Sequence, residues 1–282
     1  MSSISKYILL LLIPTILFSN DRDKFNLLEK EPNKAKIIFK NDELETEKVD
    51  GYDKFLSYRI LTVEDGLPEL PKYTVNYGLN PLKEYKINYN ILSSYIIEDI
   101  DVYPHQSAQR IDADESSDLY MNTIYNQAND VFPREIVREK RATLRGNEII
   151  TIDIIPFSYN SSSRSLEVIE EIEIMIEEVG ERASSKPTMK RSEPFQNMYN
   201  HLILDTFDDR EIDFQEPSIL YICGGSSIDY TYLDYLVDWR RKQGYQVTTV
   251  NLTEVGGNTT TYVKNYIQNA YYNWENPPEF IS

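Results

Sequence analysis

The chain has 282 residues, with 29 Lys and Arg against 46 Asp and Glu and a net charge of −17. A nucleic-acid partner needs a basic face to neutralise its phosphates, and a chain this acidic offers none, so that class of function is excluded. The single cysteine, Cys223, excludes an internal disulfide and any multi-cysteine zinc or iron–sulfur centre. At 41% hydrophobic and 27% charged residues the composition is globular, with length for about two domains.

Residues 1–19 read as a secretory signal peptide: Lys6, an uncharged apolar run from Tyr7 to Phe18, then Ser19 and Asn20 ahead of the charged Asp21-Arg22-Asp23. The run is shorter than the roughly 20 residues a membrane-spanning helix needs, and Pro14 interrupts it. The expectation is export with no retained membrane span, a retained anchor being the weaker alternative. Leu17 at the −3 position of a cut after Ser19 is larger than the small residue preferred there, so the segment is better defined than the cut.

From about Lys36 to Val179 the dominant pattern has period two. Tyr85, Ile87, Tyr89 and Ile91 alternate with Lys86, Asn88 and Asn90, and Ile100 and Val102 alternate with Asp99 and Asp101. Ile150, Ile152 and Ile154 repeat the pattern, and the turn-rich Ser158-Tyr159-Asn160-Ser161-Ser162-Ser163 then predicts a hairpin into the next segment. Residues Leu166–Glu177 are ambiguous. As a helix they put Val168, Ile172 and Met175 on one face; as a strand they turn Ile172, Ile174 and Ile176 inward and Glu171, Glu173 and Glu177 outward. Isoleucine is stiff at its first side-chain torsion and favours strands, so strand is the reading. Many short strands broken by Gly66, Pro68, Pro71, Pro81, Pro104, Pro133 and Pro156 predict an antiparallel, all-β sandwich over residues 20–205.

Between Gly180 and about Pro194 the pattern gives way to a polar linker or exposed loop containing Lys190 and Arg191, and the acidic segment 206–216 carries Arg210. Basic residues in such segments invite proteolysis. After Pro217 the grammar changes. Ser218–Ile222 is an apolar strand, an amphipathic helix carries Tyr232, Leu233, Leu236, Val237 and Trp239, Gln246–Leu252 is a second strand, Val263 to Trp274 mark a second helix, and Phe280 and Ile281 open a third strand. Strand–helix alternation predicts a parallel sheet. Residues 217–282 are too few to close such a sheet, which makes the sequence look like the front part of a longer polypeptide.

Cys223 follows the first parallel strand, where ligands and catalytic groups of open α/β sheets gather, and position alone makes it a candidate nucleophile. A thiol needs a base to activate it, and neither His105 nor His201 is tied to Cys223 by a motif, so a small buried residue at a strand end is the reading preferred. Gly224-Gly225-Ser226-Ser227 lacks the spacing of a phosphate loop and reads as a tight turn. No metal motif is present, and no cofactor is expected. His105 precedes a long polar stretch from Gln106 to Asp130, which reads as a solvated excursion.

Three segments together resemble the gingipain-type cysteine peptidases, secreted proenzymes with a β-sandwich prodomain ahead of a caspase-like catalytic domain. The first is Gly66-Leu67-Pro68-Glu69-Leu70-Pro71 with the strand leading to Val102-Tyr103-Pro104. The second is Arg145-Gly146-Asn147-Glu148 running into Pro156-Phe157-Ser158-Tyr159-Asn160 and on to Leu166-Glu167-Val168. The third is Ser218-Ile219-Leu220-Tyr221-Ile222 with Trp239-Arg240-Arg241-Lys242-Gln243-Gly244. The resemblance implies that residues 217–282 begin an α/β peptidase domain whose catalytic His and Cys lie further on, so the chain alone is expected to be inactive and Cys223 does not take the nucleophile's role. It also implies a prodomain that contacts its own catalytic domain, assists folding and covers the active site, with Arg110 as candidate for a basic plug in the specificity pocket. Processing is expected at Arg210, with Arg191 as the alternative. Export machinery, including a type IX outer-membrane route, and protein or peptide substrates of the full-length product follow from the same resemblance. The rival reading is a non-enzymatic exported inhibitor or cell-surface binding module; a relative that processes other exported proteins is a third.

Overall fold

The computed structural model describes residues 21–282 other than 43, 57–59, 108–118, 123–124, 126–130, 184–188 and 207–213. The signal-peptide reading of residues 1–19 lies outside the described residues, as do Arg110 and Arg210. A long antiparallel part comes first: β1 (Phe25–Glu31), β2 (Lys34–Lys40), β3 (Thr46–Val49), β4 (Tyr52–Phe55), β5 (Ile60–Leu61), β6 (Pro71–Gly78), β7 (Lys83–Glu98), β8 (Val131–Phe132), β9 (Val137–Leu144), β10 (Asn147–Ile154), β11 (Phe157–Asn160) and β12 (Ser165–Glu181). Then come α1 (Glu193–Leu202), β13 (Ser218–Cys223), α2 (Thr231–Lys242), β14 (Gln246–Asn251), α3 (Leu252–Val255), α4 (Thr260–Asn273) and β15 (Phe280–Ile281).

The ambiguous segment is a strand. In β12 Ile172, Ile174 and Ile176 are buried, while Glu171, Glu173 and Glu177 lie on the other face, where Lys40, Lys36 and Lys34 of β2 reach them. β12 is the spine of a six-stranded sheet in the order β1-β2-β12-β11-β8, with β7 along its other edge; a second sheet runs β5-β6-β10-β9. Their inner faces share one core. Ile37 and Phe39 of β2 and Ile172, Ile174 and Ile176 of β12 meet Tyr73, Val75 and Tyr77 of β6 and Ile150, Ile152 and Ile154 of β10. Two sheets closing on a common apolar layer is the sandwich arrangement expected from the period-two pattern.

The hairpin expected after Ile154 is present, but its first strand is β11, which pairs with β12 in the register Phe157↔Val168 and Tyr159↔Leu166; β10 stays in the other sheet, the chain crossing between the two at Pro156. Proline has no N–H for a ladder bond, so it suits a corner between sheets better than a strand interior. Two further expectations are corrected. Residues 99–102 do not form a strand: Asp99 turns left-handed at φ 56 and ends β7, and Val102 makes only an isolated bridge to Asp53. The stretch before Pro194 is not simply an exposed linker, because Arg191 and Ser192 are buried. Ser192 caps α1, accepting from the Phe195 N–H at 3.2 Å, and Pro194 sits in the first turn, where its missing N–H costs nothing. Tyr199 and Ile203 then pack against Ile149 of β10.

Residues 218–281 form a parallel sheet in the order β14-β13-β15, with its own core of Leu220, Val250, Val255 and Ala270. The strand and helix positions follow the sequence reading, except that β14 stops at Asn251, which caps the additional short helix α3 through a capping box with Glu254. Of the apolar residues read onto α2, only Val237 is buried; Tyr232 is 84% and Trp239 51% exposed. Among the described residues, no helix is long and apolar enough to cross a membrane.

Candidate functional site

Cys223 ends β13 as predicted and is buried, with Gly225 turning left-handed at φ 58 two residues on. Neither histidine is placed as its base. His105 lies beside Glu69, its Nδ1 3.0 Å from Oε2, and His201 is in the last turn of α1. Among the described residues no group of three or more His, Cys, Asp or Glu side chains is placed to hold a metal ion.

Polar chemistry gathers instead where the antiparallel part meets the parallel sheet, around Arg145. This residue and Gly146 make the two-residue turn between β9 and β10, both left-handed at φ 48 and 79. The guanidinium leaves its own hairpin. Its Nε donates to the Lys190 carbonyl at 2.7 Å, Nη1 to the Pro278 carbonyl at 3.0 Å, and Nη2 to Gln215 Oε1 at 2.9 Å and the Pro277 carbonyl at 3.2 Å. The rings of Phe195 and Tyr271 lie 5.6 and 5.7 Å from its Cζ. Burial pulls its pKa below the ordinary arginine value, and the Glu279 carboxylate, with Oε1 3.8 Å from Nε, opposes that pull.

Glu279 comes just before β15 and its side chain is fully buried. One oxygen accepts from the Ser192 N–H and the other from the Ser192 hydroxyl, both at 2.5 Å. Gln215 and Ser218 extend the network, each donating to the Pro277 carbonyl, at 2.9 and 2.8 Å. Arg191 lies in the same region with its guanidinium 5.1 Å from the Tyr199 ring centre, and its carbonyl accepts from the Gln215 N–H at 3.1 Å. A protease needs an extended, accessible chain at its cleavage site, and Arg191 at 4% exposure does not present one.

The sequence reading singled out Arg145 only as part of a segment that carries the family resemblance, and gave no role to Ser192, Gln215 or Glu279. The left-handed turn is legible from Arg145-Gly146. The partners of its side chain are not, because they lie 45 to 133 residues further along the chain.

Comparison with known proteins divides the chain at nearly the place where the fold changes. The model of the C25 propeptide, Propeptide_C25, matches residues 21–211, and that of peptidase family C25 matches residues 212–282. No curated protein matches. Among solved structures, the complex of Porphyromonas gingivalis RgpB pro- and mature domains is similar at 19% identity and a TM-score of 0.52, covering 64% of this chain and 96% of that one. A structure on the zymogenic latency of gingipain K from the same organism matches at 18% identity and a TM-score of 0.45, covering 55% and 92%.

Proposed function

The chain belongs to the C25 peptidases as a gingipain-type precursor, a propeptide followed by the start of the peptidase domain, and from that premise we propose that the full-length product is a secreted cysteine endopeptidase whose propeptide aids folding and holds it latent. The observation that carries this reading is the coincidence of two boundaries. The propeptide match gives way to the peptidase match between residues 211 and 212, and the antiparallel sandwich gives way to the parallel β–α–β arrangement at β13.

Within this reading residues 1–19 direct export, 20–205 are the β-sandwich prodomain, 206–216 link it, and 217–282 open a caspase-like α/β domain. The catalytic His and Cys are supplied by residues beyond 282. Support comes from the chemistry of Cys223, which is buried with neither histidine placed as its base. Arg110 is the proposed plug of the specificity pocket, protein or peptide chains are the substrates, and a type IX route completes export.

Arg210 is the proposed processing residue, one position before the end of the propeptide match. Arg191 is the lesser candidate because it is buried against Tyr199 at the cap of α1. In the full-length precursor, Arg210→Ala is expected to abolish release of the propeptide, seen as a persistent precursor band, whereas Arg191→Lys leaves processing intact. Normal maturation of the Arg210→Ala precursor removes Arg210 from this role.

A further inference from the structure

A left-handed residue ahead of a glycine in a two-residue hairpin turn is normally Asn, Asp or Gly, because a long side chain gains nothing locally from that backbone. Arg145 holds this position at φ 48. Its hydrogen bonds go to Lys190, upstream of segment 207–213, and to Gln215, Pro277 and Pro278, downstream of it. A buried charge is tolerated only when paired and bonded, and here Glu279 faces the guanidinium while also holding Ser192 of the propeptide side.

We infer that Arg145 is a positioning residue: it fastens the loop before β15, and with it the edge of the peptidase sheet, to the propeptide through contacts that do not depend on the peptide link across 207–213. The inference rests on the reading of the chain as propeptide plus the start of a peptidase. Without the guanidinium, the Pro278 carbonyl loses the donor Nη1, the Pro277 carbonyl keeps only Gln215 and Ser218, and Glu279 loses its counter-charge in a place the surrounding side chains close to solvent.

The molecule supplies its own reporters. Both tryptophans, Trp239 and Trp274, lie in the peptidase part, so their fluorescence follows that part, while amide hydrogen exchange in the twelve strands β1–β12 follows the propeptide. The test uses the full chain with a specific protease site placed across 207–213, cut and passed over a sizing column. The two pieces of the otherwise unchanged chain are expected to co-elute. Arg145→Asn is expected to weaken their association at least ten-fold and to lower the Trp-reported melting transition, while amide protection in β6 and the β9–β10 hairpin holds or rises because Asn suits the left-handed turn. Glu279→Gln is expected to act alike, and the double variant to lose little more than either single one. Separation of the unchanged cut chain, or an Arg145→Asn chain whose Trp transition stays in place, overturns the inference. If Arg145→Asn does not fold, Glu279→Gln and Gln215→Ala carry the same test from the other side. None of these readouts needs peptidase activity or natural processing, so the fate of Arg210 does not decide them.

Discussion

Gly66 stands at φ +69, and a methyl group on its Cα would come within 2.4 Å of the Asn122 backbone nitrogen and 2.8 Å of the Tyr120 ring. Both the conformation and the space therefore require glycine. Gly66→Ala is expected to destabilise the chain by about 2–4 kcal/mol, measured as a fall in the urea midpoint; an unchanged midpoint would mean that residues 120–122 do not pack there. Gly66, Pro68 and Pro104 were legible as breaks between strands, and the two segments that hold them as carriers of the family resemblance. Their adjacency was not: the Glu69 N–H donates to the Tyr103 carbonyl and the His105 N–H to the Leu67 carbonyl, both at 2.8 Å. A sequence shows what each residue can do with its own backbone, whereas these pairings join segments far apart in the chain. The same holds for His105, whose partner Glu69, with Oε2 3.0 Å from its Nδ1, lies 36 residues earlier in the chain.

At the scale of elements, periodicity carried most of the information. The alternation of Ile172, Ile174 and Ile176 identified β12 despite a competing helical reading, since β-branched residues pack well on a pleated face. Ile174 is fully buried at the sandwich centre, so Ile174→Ala is expected to cost about 2–5 kcal/mol. Ile91, in the same period-two stripe of β7 but 43% exposed, should cost about 1 kcal/mol or less when changed to Ala. Equal losses from the two substitutions, read from urea unfolding, would contradict the assigned faces. Why the stripe of β7 is only half used is a matter of what lies opposite. Tyr85 and Ile87 pack on the core between the sheets and Ile97 on the second apolar cluster, while Tyr89 and Tyr95 between them stay largely exposed. Helix α1 was missed for the complementary reason. Its apolar residues Phe195, Tyr199 and Ile203 recur at helical spacing, but a polar run ending in Pro194 reads as a loop unless Ser192 is taken as its cap.

Across the whole molecule, packing two sheets together places tyrosine hydroxyls from several strands under cover. Burial raises Tyr77 above its ordinary value, with Asp205 adding to the effect, and pushes Tyr85 up to about 12 with Glu178 contributing in the same direction; Tyr125, buried against Tyr159, is raised as well. These phenols titrate at about 10 in the unfolded chain. Their folded-state pKa values are higher, so the stability they lend is fully present below about pH 10 and is lost as pH rises through the folded values. Urea unfolding followed from pH 9 upward is expected to show a falling midpoint, with Tyr85→Phe flattening the fall between about pH 10 and 12. A midpoint unaffected by pH in that window would mean that Tyr85 is not held in its protonated form by the fold.

The amino-acid sequence by itself determined the class of each half, because side-chain period, proline placement and β-branching act within a few residues. It was also enough for the family resemblance and for the end of β13 where Cys223 sits. Only the tertiary structure decided that Arg191 is covered, that β10 and β11 belong to different sheets, and that Arg145, Ser192, Gln215 and Glu279 form one buried joint. Each of these depends on which distant surfaces exclude water from a polar group, a property of packed elements that no local spacing encodes.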